Sequence, residues 1–162
     1  MSYTDLDFLA YVLENRWQED VPGRMQSVPE PKIVIATSED ETRVNTAVND
    51  VIFVRDGGAQ TREPRSAGYM AERVETPVAV DIRTAEGRDR FVGIRDDNNE
   101  AESYGGLYGE TKRILETIRK GEAEYDLTVP PEWNDLSEDF GFGHWRGVWT
   151  VRLTQVASEI DP

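Results

Sequence analysis

The sequence predicts an α+β fold with a mainly antiparallel sheet and two helices. Two stretches carry apolar residues at helical spacing, and several short stretches between and after them are rich in β-branched residues. Residues 78–84 place Val78, Val80 and Ile82 on one face and Ala79, Asp81 and Arg83 on the other, which is typical of an antiparallel strand with one face half in solvent. With four Trp, six Tyr and five Phe, the chain has enough large rings to form a globular core.

The predicted helices span residues 4–19 and about 99–120. In the first, four apolar residues recur at spacings of three and four: Leu6, Leu9, Leu13 and Trp17. Pro22-Gly23 ends this helix. The second helix has a longer apolar stripe, made of Tyr104, Leu107, Tyr108, Ile114, Leu115 and Ile118. Its first half contains three glycines, each of which weakens a helix by about 1 kcal/mol relative to alanine.

The stretches predicted as strands are residues 32–36, 51–55, 69–74, 78–84, 90–94, 125–129 and 145–157. We expect an interruption at Thr76-Pro77, because proline removes a hydrogen-bond donor from a strand ladder. Residues 133–143 are predicted as an irregular acidic connection. The last stretch is the best-defined strand, with Trp149, Val151 and Leu153 on one face and Arg146 and Arg152 on the other. The whole chain, residues 1–162, is predicted as one domain.

A long loop is predicted over residues 56–68, where neither helical nor strand periodicity is present. The loop contains Gly57, Gly58 and the two arginines Arg62 and Arg65. Thirteen residues without structure are uncommon in a small domain unless they bind a partner or are mobile. A contact loop, with Arg62 and Arg65 as contact candidates, and a mobile hairpin tip are both consistent with this pattern.

Charge is the strongest compositional feature. The chain has 32 acidic and 18 basic residues, a formal net charge of -14, and only three of the basic residues are lysines. Such a field repels phosphate backbones and argues against a basic nucleic-acid-binding face. High salt screens the self-repulsion of an acidic chain, so the composition favours a salt-loving source or one of its viruses over an ordinary acidic cytosolic protein.

No catalytic, cofactor or metal site is predicted. The chain has no cysteine and a single histidine, His144, with no nucleophile motif beside it. Residues 96–100 are acidic but lack the glycine and glutamate spacing of a calcium loop, so a turn that caps the second helix is the better interpretation. Glu110 and Lys112 have the spacing of some metal nucleases, but in a helix they are expected on a solvated face. No apolar run is long enough for a membrane span.

The order of these elements resembles the tail terminator, or tail-completion, proteins of long-tailed double-stranded DNA viruses. An N-terminal helix precedes strand 32–36, a loop-bearing strand pair ends in Val-Ala-Val-Asp-Ile-Arg at 78–83, and an acidic helix carries Ile-Leu-Glu-Thr-Ile at 114–118. A strong strand, Gly-Val-Trp-Thr-Val-Arg-Leu at 147–153, comes last. The resemblance extends from about Asp5 to Glu159 and lies in element order and strand character. The composition favours a virus of halophilic archaea.

The resemblance implies two helices packed on one face of the sheet and a structural function in the virion neck. A ring, expected to be a hexamer, would end the tail tube, join the tube protein to the head-completion or connector protein, and let DNA pass without specific binding. Arg146 and Arg152, on the sheet face without helices, are then expected to contact the next subunit. The protein would be made in the host cytoplasm and act without a cofactor or membrane.

Two other functions fit the same sequence. One is a small ligand-binding or regulatory α+β domain in the cytosol of a halophile. The other is a divergent hydrolase that holds a divalent metal with acidic residues, which stabilisation by magnesium or manganese would indicate.

The net charge leads to a prediction about salt. Below about 0.1 M salt the screening length exceeds roughly 10 Å, so repulsion among the acidic residues should destabilise the fold. We expect the melting temperature, followed by circular dichroism, to fall as salt is lowered through this concentration. A melting temperature that is flat or rises between molar and millimolar salt would contradict a halophilic origin.

Overall fold

A computed structural model describes residues 3–17, 30–36, 50–64, 71–85, 87–92, 106–118, 125–127, 130–136 and 145–158 of the 162-residue chain. The described residues contain three helices, α1 (Tyr3–Arg16), α2 (Arg88–Val92) and α3 (Gly106–Glu116). The described strands are β1 (Lys32–Ile35), β2 (Val51–Asp56), β3 (Thr61–Pro64), β4 (Ala71–Thr84), β5 (Asp126–Leu127), β6 (Glu132–Asp135) and β7 (Trp145–Ser158). The protein is therefore α+β. Arg65, His144, the Pro22-Gly23 stop and the acidic stretch at 96–100 lie outside the described residues.

One seven-stranded, mostly antiparallel sheet organises the fold. Its main order is β1-β2-β4-β7-β5, with β3 also paired to β4 and β6 also paired to β7. Only the β1–β2 pair is parallel among the described strands. The two longest strands, β4 and β7, pair along their whole length, from Ala71 opposite Ser158 to Thr84 opposite Trp145.

The predicted interruption at Thr76-Pro77 is wrong, because β4 runs through both residues. The Pro77 carbonyl accepts a hydrogen bond from the Gly57 amide at 3.1 Å, so the backbone of Pro77 points away from β7. It points into the gap between β3, which ends its pairing at Glu75, and β2, which begins at Val78. A missing donor costs little at a position where no strand needs it. Gly57 is required for this close approach, since a Cβ there would lie 2.9 Å from the Val78 carbonyl carbon.

Two predicted connections contain strands. Strand β3 lies inside the loop predicted at 56–68, and β6 overlaps the connection predicted at 133–143, beginning one residue before it. Both are four-residue strands that extend the outer edges of β4 and β7. Their sequences, Thr-Arg-Glu-Pro and Glu-Trp-Asn-Asp, have no apolar alternation, so their structure depends on the partner strand and not on local pattern.

All three described helices pack on one face of the sheet, which we call the helix face. Every second residue of β2, β4 and β7 points toward α1 and α3. These residues form the core: Ile52, Val54, Val78, Val80, Ile82, Trp149, Val151 and Leu153. Helix α1 contributes Leu6, Leu9 and Leu13 to the same core, and Trp17 joins them from the turn that follows the helix. The longest of the described helices has 14 residues, and none is both long and apolar enough to cross a membrane.

Helix α2 corrects the predicted strand at 90–94. The amide of Phe91 donates to the carbonyl of Gly87 at 3.2 Å, a helical bond that begins at a glycine with a φ of +105°. Phe91 is fully buried, with its ring centroid 5.7 Å from that of Trp133 and 5.8 Å from that of Trp145. Arg90 binds Asp50, which anchors α2 beside the start of β2. A stretch of five residues is too short for periodicity to separate a strand from a helix.

Helix α3 matches the second half of the predicted helix, and residues 99–105 and 119–120 lie outside the described part. The predicted solvated position of Glu110 is wrong: Glu110 is fully buried and bonded to Arg113 at 2.7 Å. Arg113 also donates to the Arg16 carbonyl at the end of α1. The pair therefore joins α3 to the C-terminus of α1, where a cation also suits the helix dipole. Lys112 is exposed as expected.

An aromatic cluster closes the end of the core near β6. Trp149 donates from Nε1 to Thr111 Oγ1 at 2.8 Å, and its ring stacks on Tyr108 with centroids 5.2 Å apart. Trp133 packs against both, with its centroid 4.8 Å from Tyr108 and 5.0 Å from Trp149. The Trp133 ring also covers Gly147, where a Cβ would lie only 2.0 Å from ring atom Cη2. A glycine under an aromatic ring thus sets the position of β6 on β7.

This contact predicts that Gly147→Ala destabilises the fold although alanine suits a strand better than glycine. The added methyl must displace Trp133, so we expect a loss of about 1–3 kcal/mol in the free energy of unfolding by urea. In a Trp133→Ala background the clash is gone, and Gly147→Ala should be neutral or stabilising by up to about 1 kcal/mol. Equal costs in the two backgrounds would show that the ring does not lie over the glycine.

Candidate functional site

The opposite face of the sheet carries no helix among the described residues, and we call it the helix-free face. The strand registers assign to it the alternate residues that do not face the helices. Its charged members with described side chains are Lys32, Arg55, Arg73, Glu75, Asp81, Arg83, Glu132, Arg146 and Arg152. Six of these are basic and three acidic, the reverse of the balance in the whole chain.

Asp81 lies at the centre of this face and binds three arginines. Its carboxylate is fully buried and accepts from Arg146 Nη2 at 2.8 Å, Arg83 Nη2 at 2.9 Å and Arg55 Nη2 at 3.3 Å. The Nε atoms of Arg83 and Arg146 also donate to its other oxygen, each at 3.1 Å. Both arginines therefore bind the carboxylate in the bidentate geometry that makes charge-assisted pairs strong.

Three neighbouring strands bring these side chains together. Asp81 and Arg83 are two residues apart on β4 and so share a face. Arg146 is directly opposite Arg83 on β7, and Arg55 is opposite Ala79 on β2, which makes both diagonal neighbours of Asp81. Diagonal neighbours are within reach of long side chains. Asp81 can therefore collect one guanidinium from each of the three strands.

The prediction that this face of β4 is half solvated is wrong, because Ala79, Asp81 and Arg83 are all buried. Arginine stems cover apolar surface while their heads stay polar. The guanidinium of Arg83, for example, lies 5.0 Å above the ring centre of Phe53, which is fully buried on the same face. Sequence alternation identified the polar residues of this face but not the ion pairs that allow them to be buried.

Opposing effects set the pKa of Asp81. Burial alone raises the pKa, because the charged form loses its hydration. The hydrogen bonds donated by Arg83 and Arg146, together with their charges, outweigh burial and hold the pKa of Asp81 below its ordinary value. Asp81 is consequently a structural anion, and a carboxylate held so firmly ionised is a poor general base.

A second ion-pair group lies farther along β4 and β7, and we call it the rim. Arg152 Nη1 lies 3.2 Å from Glu75 Oε1, and Arg73 Nη2 lies 3.8 Å from Glu75 Oε2. The side chains of Arg73 and Arg152 are 36% and 37% exposed, so the rim is accessible where the Asp81 group is not. Two arginines share one carboxylate here.

The three predicted contact residues that the structure describes, Arg62, Arg146 and Arg152, do not form one site. The structure confirms that Arg146 and Arg152 lie on the face away from the core, but Arg146 is mostly buried against Asp81 and only Arg152 is well exposed. Arg62 is exposed on β3 opposite Val74, a register that assigns it to the other face of the sheet. Sequence analysis missed Arg55 and Arg73, whose roles depend on pairing between distant strands.

No metal centre is present in the part of the chain that the structure describes, since no three metal-ligating side chains cluster there. No protein-family model matches this chain, and no curated protein matches it at a significant level. Its function must therefore be inferred from its own residues. The chemistry of the helix-free face is that of ion pairing between strands.

The Asp81 group predicts a site-specific effect on stability. Asp81→Asn leaves three buried guanidinium groups without their anion, so the free energy of unfolding at pH 7 should fall by about 3–5 kcal/mol. Glu75→Gln, the matched change in the partly exposed rim, should cost less, about 1 kcal/mol. Urea unfolding followed by tryptophan fluorescence measures both variants.

Asp81→Asn should also change how the stability of the fold responds to acid. A carboxylate with a lowered pKa in the folded state contributes stability that is present above its unfolded value of about 3.9 and is lost as the pH falls through the folded value. As the pH falls below about 4, the Asp81→Asn variant should therefore lose less stability than the unmodified chain. If Asp81→Asn costs no more than Glu75→Gln, the three-arginine contact does not hold the sheet.

Proposed function

We propose that this protein is a structural component of a virion that forms a ring at the head-proximal end of the tail tube. In this function it ends tail assembly and joins the tube protein to the head-completion or connector protein. The source would be a long-tailed DNA virus of halophilic archaea. The protein acts by assembly and not by catalysis, and it resides in the tail neck after synthesis in the host cytoplasm.

One observation carries this proposal: an arginine-rich sheet face, free of described helices, on a chain with a net charge of -14. Helices cover the other face, in agreement with the layered arrangement that the tail terminator resemblance implies. A subunit that assembles with copies of itself needs a surface complementary to the rest of its own exterior. The accessible arginines of the rim, Arg73 and Arg152, give this acidic chain a basic patch of that kind.

The acidic balance also suits a channel for DNA. A ring lined by acidic residues offers phosphate groups no binding site, so the duplex can pass without being held. The same balance would disfavour direct DNA binding as the function of the arginine face, because the surrounding field repels the phosphate backbone.

The proposal predicts assembly of the free chain. In molar salt, native mass measurement and light scattering should show a closed species, with six times the 18.4 kDa subunit mass as the expected value. Negative-stain images should show rings with a central channel. Arg152→Glu reverses charge at the exposed rim, so it should leave the monomer folded by circular dichroism and weaken the ring.

Lys112→Glu is the matched control, because Lys112 is exposed on α3 and not on the helix-free face. It should assemble like the unmodified chain. A chain that remains monomeric in molar salt at its highest soluble concentration would contradict the ring. Stabilisation of such a monomer by a small molecule would instead support a ligand-binding domain.

A further inference from the structure

The outer side of α1 carries an aromatic residue between two carboxylates. Tyr11 is 64% exposed and is the only large hydrophobic residue exposed to this degree among the described side chains. Asp7 and Glu14, four residues before it and three after it, are exposed on the same side of the helix. We call these three residues the α1 stripe. A single exposed tyrosine is ordinary on a protein surface, but a ring flanked by two carboxylates is a surface to which a cation can bind.

The α1 stripe has no partner within the described part of the subunit. Asp7 and Glu14 make no side-chain ion pair with any described residue, and the Tyr11 hydroxyl makes no hydrogen bond there. Its chemistry is the complement of the rim. A tyrosine ring accepts a guanidinium on its face, and each carboxylate accepts hydrogen bonds from one.

The rim has donors to spare. A guanidinium carries five N–H donors, so Arg73 and Arg152 together offer ten, and among the described side chains they share one carboxylate, that of Glu75. Both arginines are accessible, and the contact of Arg73 with Glu75 is long at 3.8 Å. Additional carboxylates from another molecule would complete this group.

We infer that the α1 stripe of one subunit docks on the rim of the next, so that copies of this chain associate head to tail. The inference rests on the ring proposed above and names the two surfaces that form it. The stripe points away from the sheet on the helix side, and the rim lies on the opposite face. Two different surfaces on opposite sides of a subunit produce a heterologous contact, which closes into a ring when its rotation allows.

Charge excludes the symmetric alternatives. A two-fold contact between α1 stripes would place four carboxylates together, and a two-fold contact between rims would place four arginines around two carboxylates. Like charges in direct contact are unfavourable, whereas stripe against rim pairs opposite charges. In molar salt the screening length is about 3 Å, so only groups in direct contact contribute to this selection.

A charge exchange tests the contact. Glu14→Arg and Arg152→Glu should each weaken association about tenfold or more, because each places like charges in contact. The double variant restores opposite charges and should regain most of the lost affinity. Glu116→Arg is the matched control, since Glu116 is exposed on α3 outside the α1 stripe, and it should associate normally. Sedimentation measures association, and circular dichroism confirms that each variant is folded.

Cross-linking provides a second readout, because the chain contains no cysteine. Tyr11→Cys and Arg152→Cys chains should each fail to form disulfides with themselves but should form dimers when mixed. A chain with both changes should form a ladder of linked subunits. Disulfides within the Tyr11→Cys variant alone would show a two-fold contact and overturn the inference.

The outcomes separate this inference from the ring itself. If the unmodified chain forms rings and the double variant is no better than the single ones, the ring stands and the contact is wrong. If charge exchange restores association but only open chains form, the contact stands and the closed ring is wrong. Normal rings from Tyr11→Ala and Glu14→Arg that no longer bind tail tubes would assign the stripe to another protein and overturn the inference.

Discussion

The antiparallel pairing of β4 with β7 is the constraint on which the rest of the structure depends. Every other described strand except β1 pairs directly with one of these two, with β2 and β3 along β4, and β5 and β6 along β7. The register of the long pair decides which face each side chain occupies. A slip of one residue in β7 would turn Trp149 away from the helices and would remove Arg146 from Asp81. One register therefore fixes both the apolar core and the charged side chains of the helix-free face.

The two faces of this sheet are covered by different means. On the helix face, apolar side chains meet α1 and α3, and Trp149 adds a buried hydrogen bond to Thr111. On the helix-free face, the Arg83 guanidinium lies over the Phe53 ring, and the guanidinium groups of Arg83 and Arg146 converge on Asp81. A buried carboxylate is costly unless it is fully paired, so this arrangement is stable only while all three strands hold their positions. The charge group thus depends on the sheet that it covers.

The sequence was most informative where structure depends on local pattern. Helical spacing in α1 and alternation in β7 identified the residues that face the core, because both elements present a long apolar stripe. Pattern was uninformative for β3 and β6, whose few polar residues become strands only by pairing with β4 and β7. It misassigned α2, where burial of Phe91 among tryptophans outweighs the strand preference of Phe and Val. The Asp81 group could be predicted only in part. Asp81 and Arg83 are two residues apart on one strand and so share a face, but Arg55 joins them through a strand pairing that sequence alone does not reveal.

Salt affects the buried ion pairs of this chain and its exposed carboxylates differently. The guanidinium groups of Arg83, Arg113 and Arg146 lie mostly buried against carboxylates, where bulk salt screens them little. Exposed carboxylates such as Asp7 and Glu14 contribute to the net negative charge, and salt screens them strongly. The fold therefore depends on short-range ion pairs that resist salt, while its long-range repulsion weakens as salt increases. Arginine is suited to this use because its head is weakly hydrated and binds carboxylates in two places at once, which a lysine ammonium does not do. A contact between subunits built from the same arginine chemistry would share that resistance.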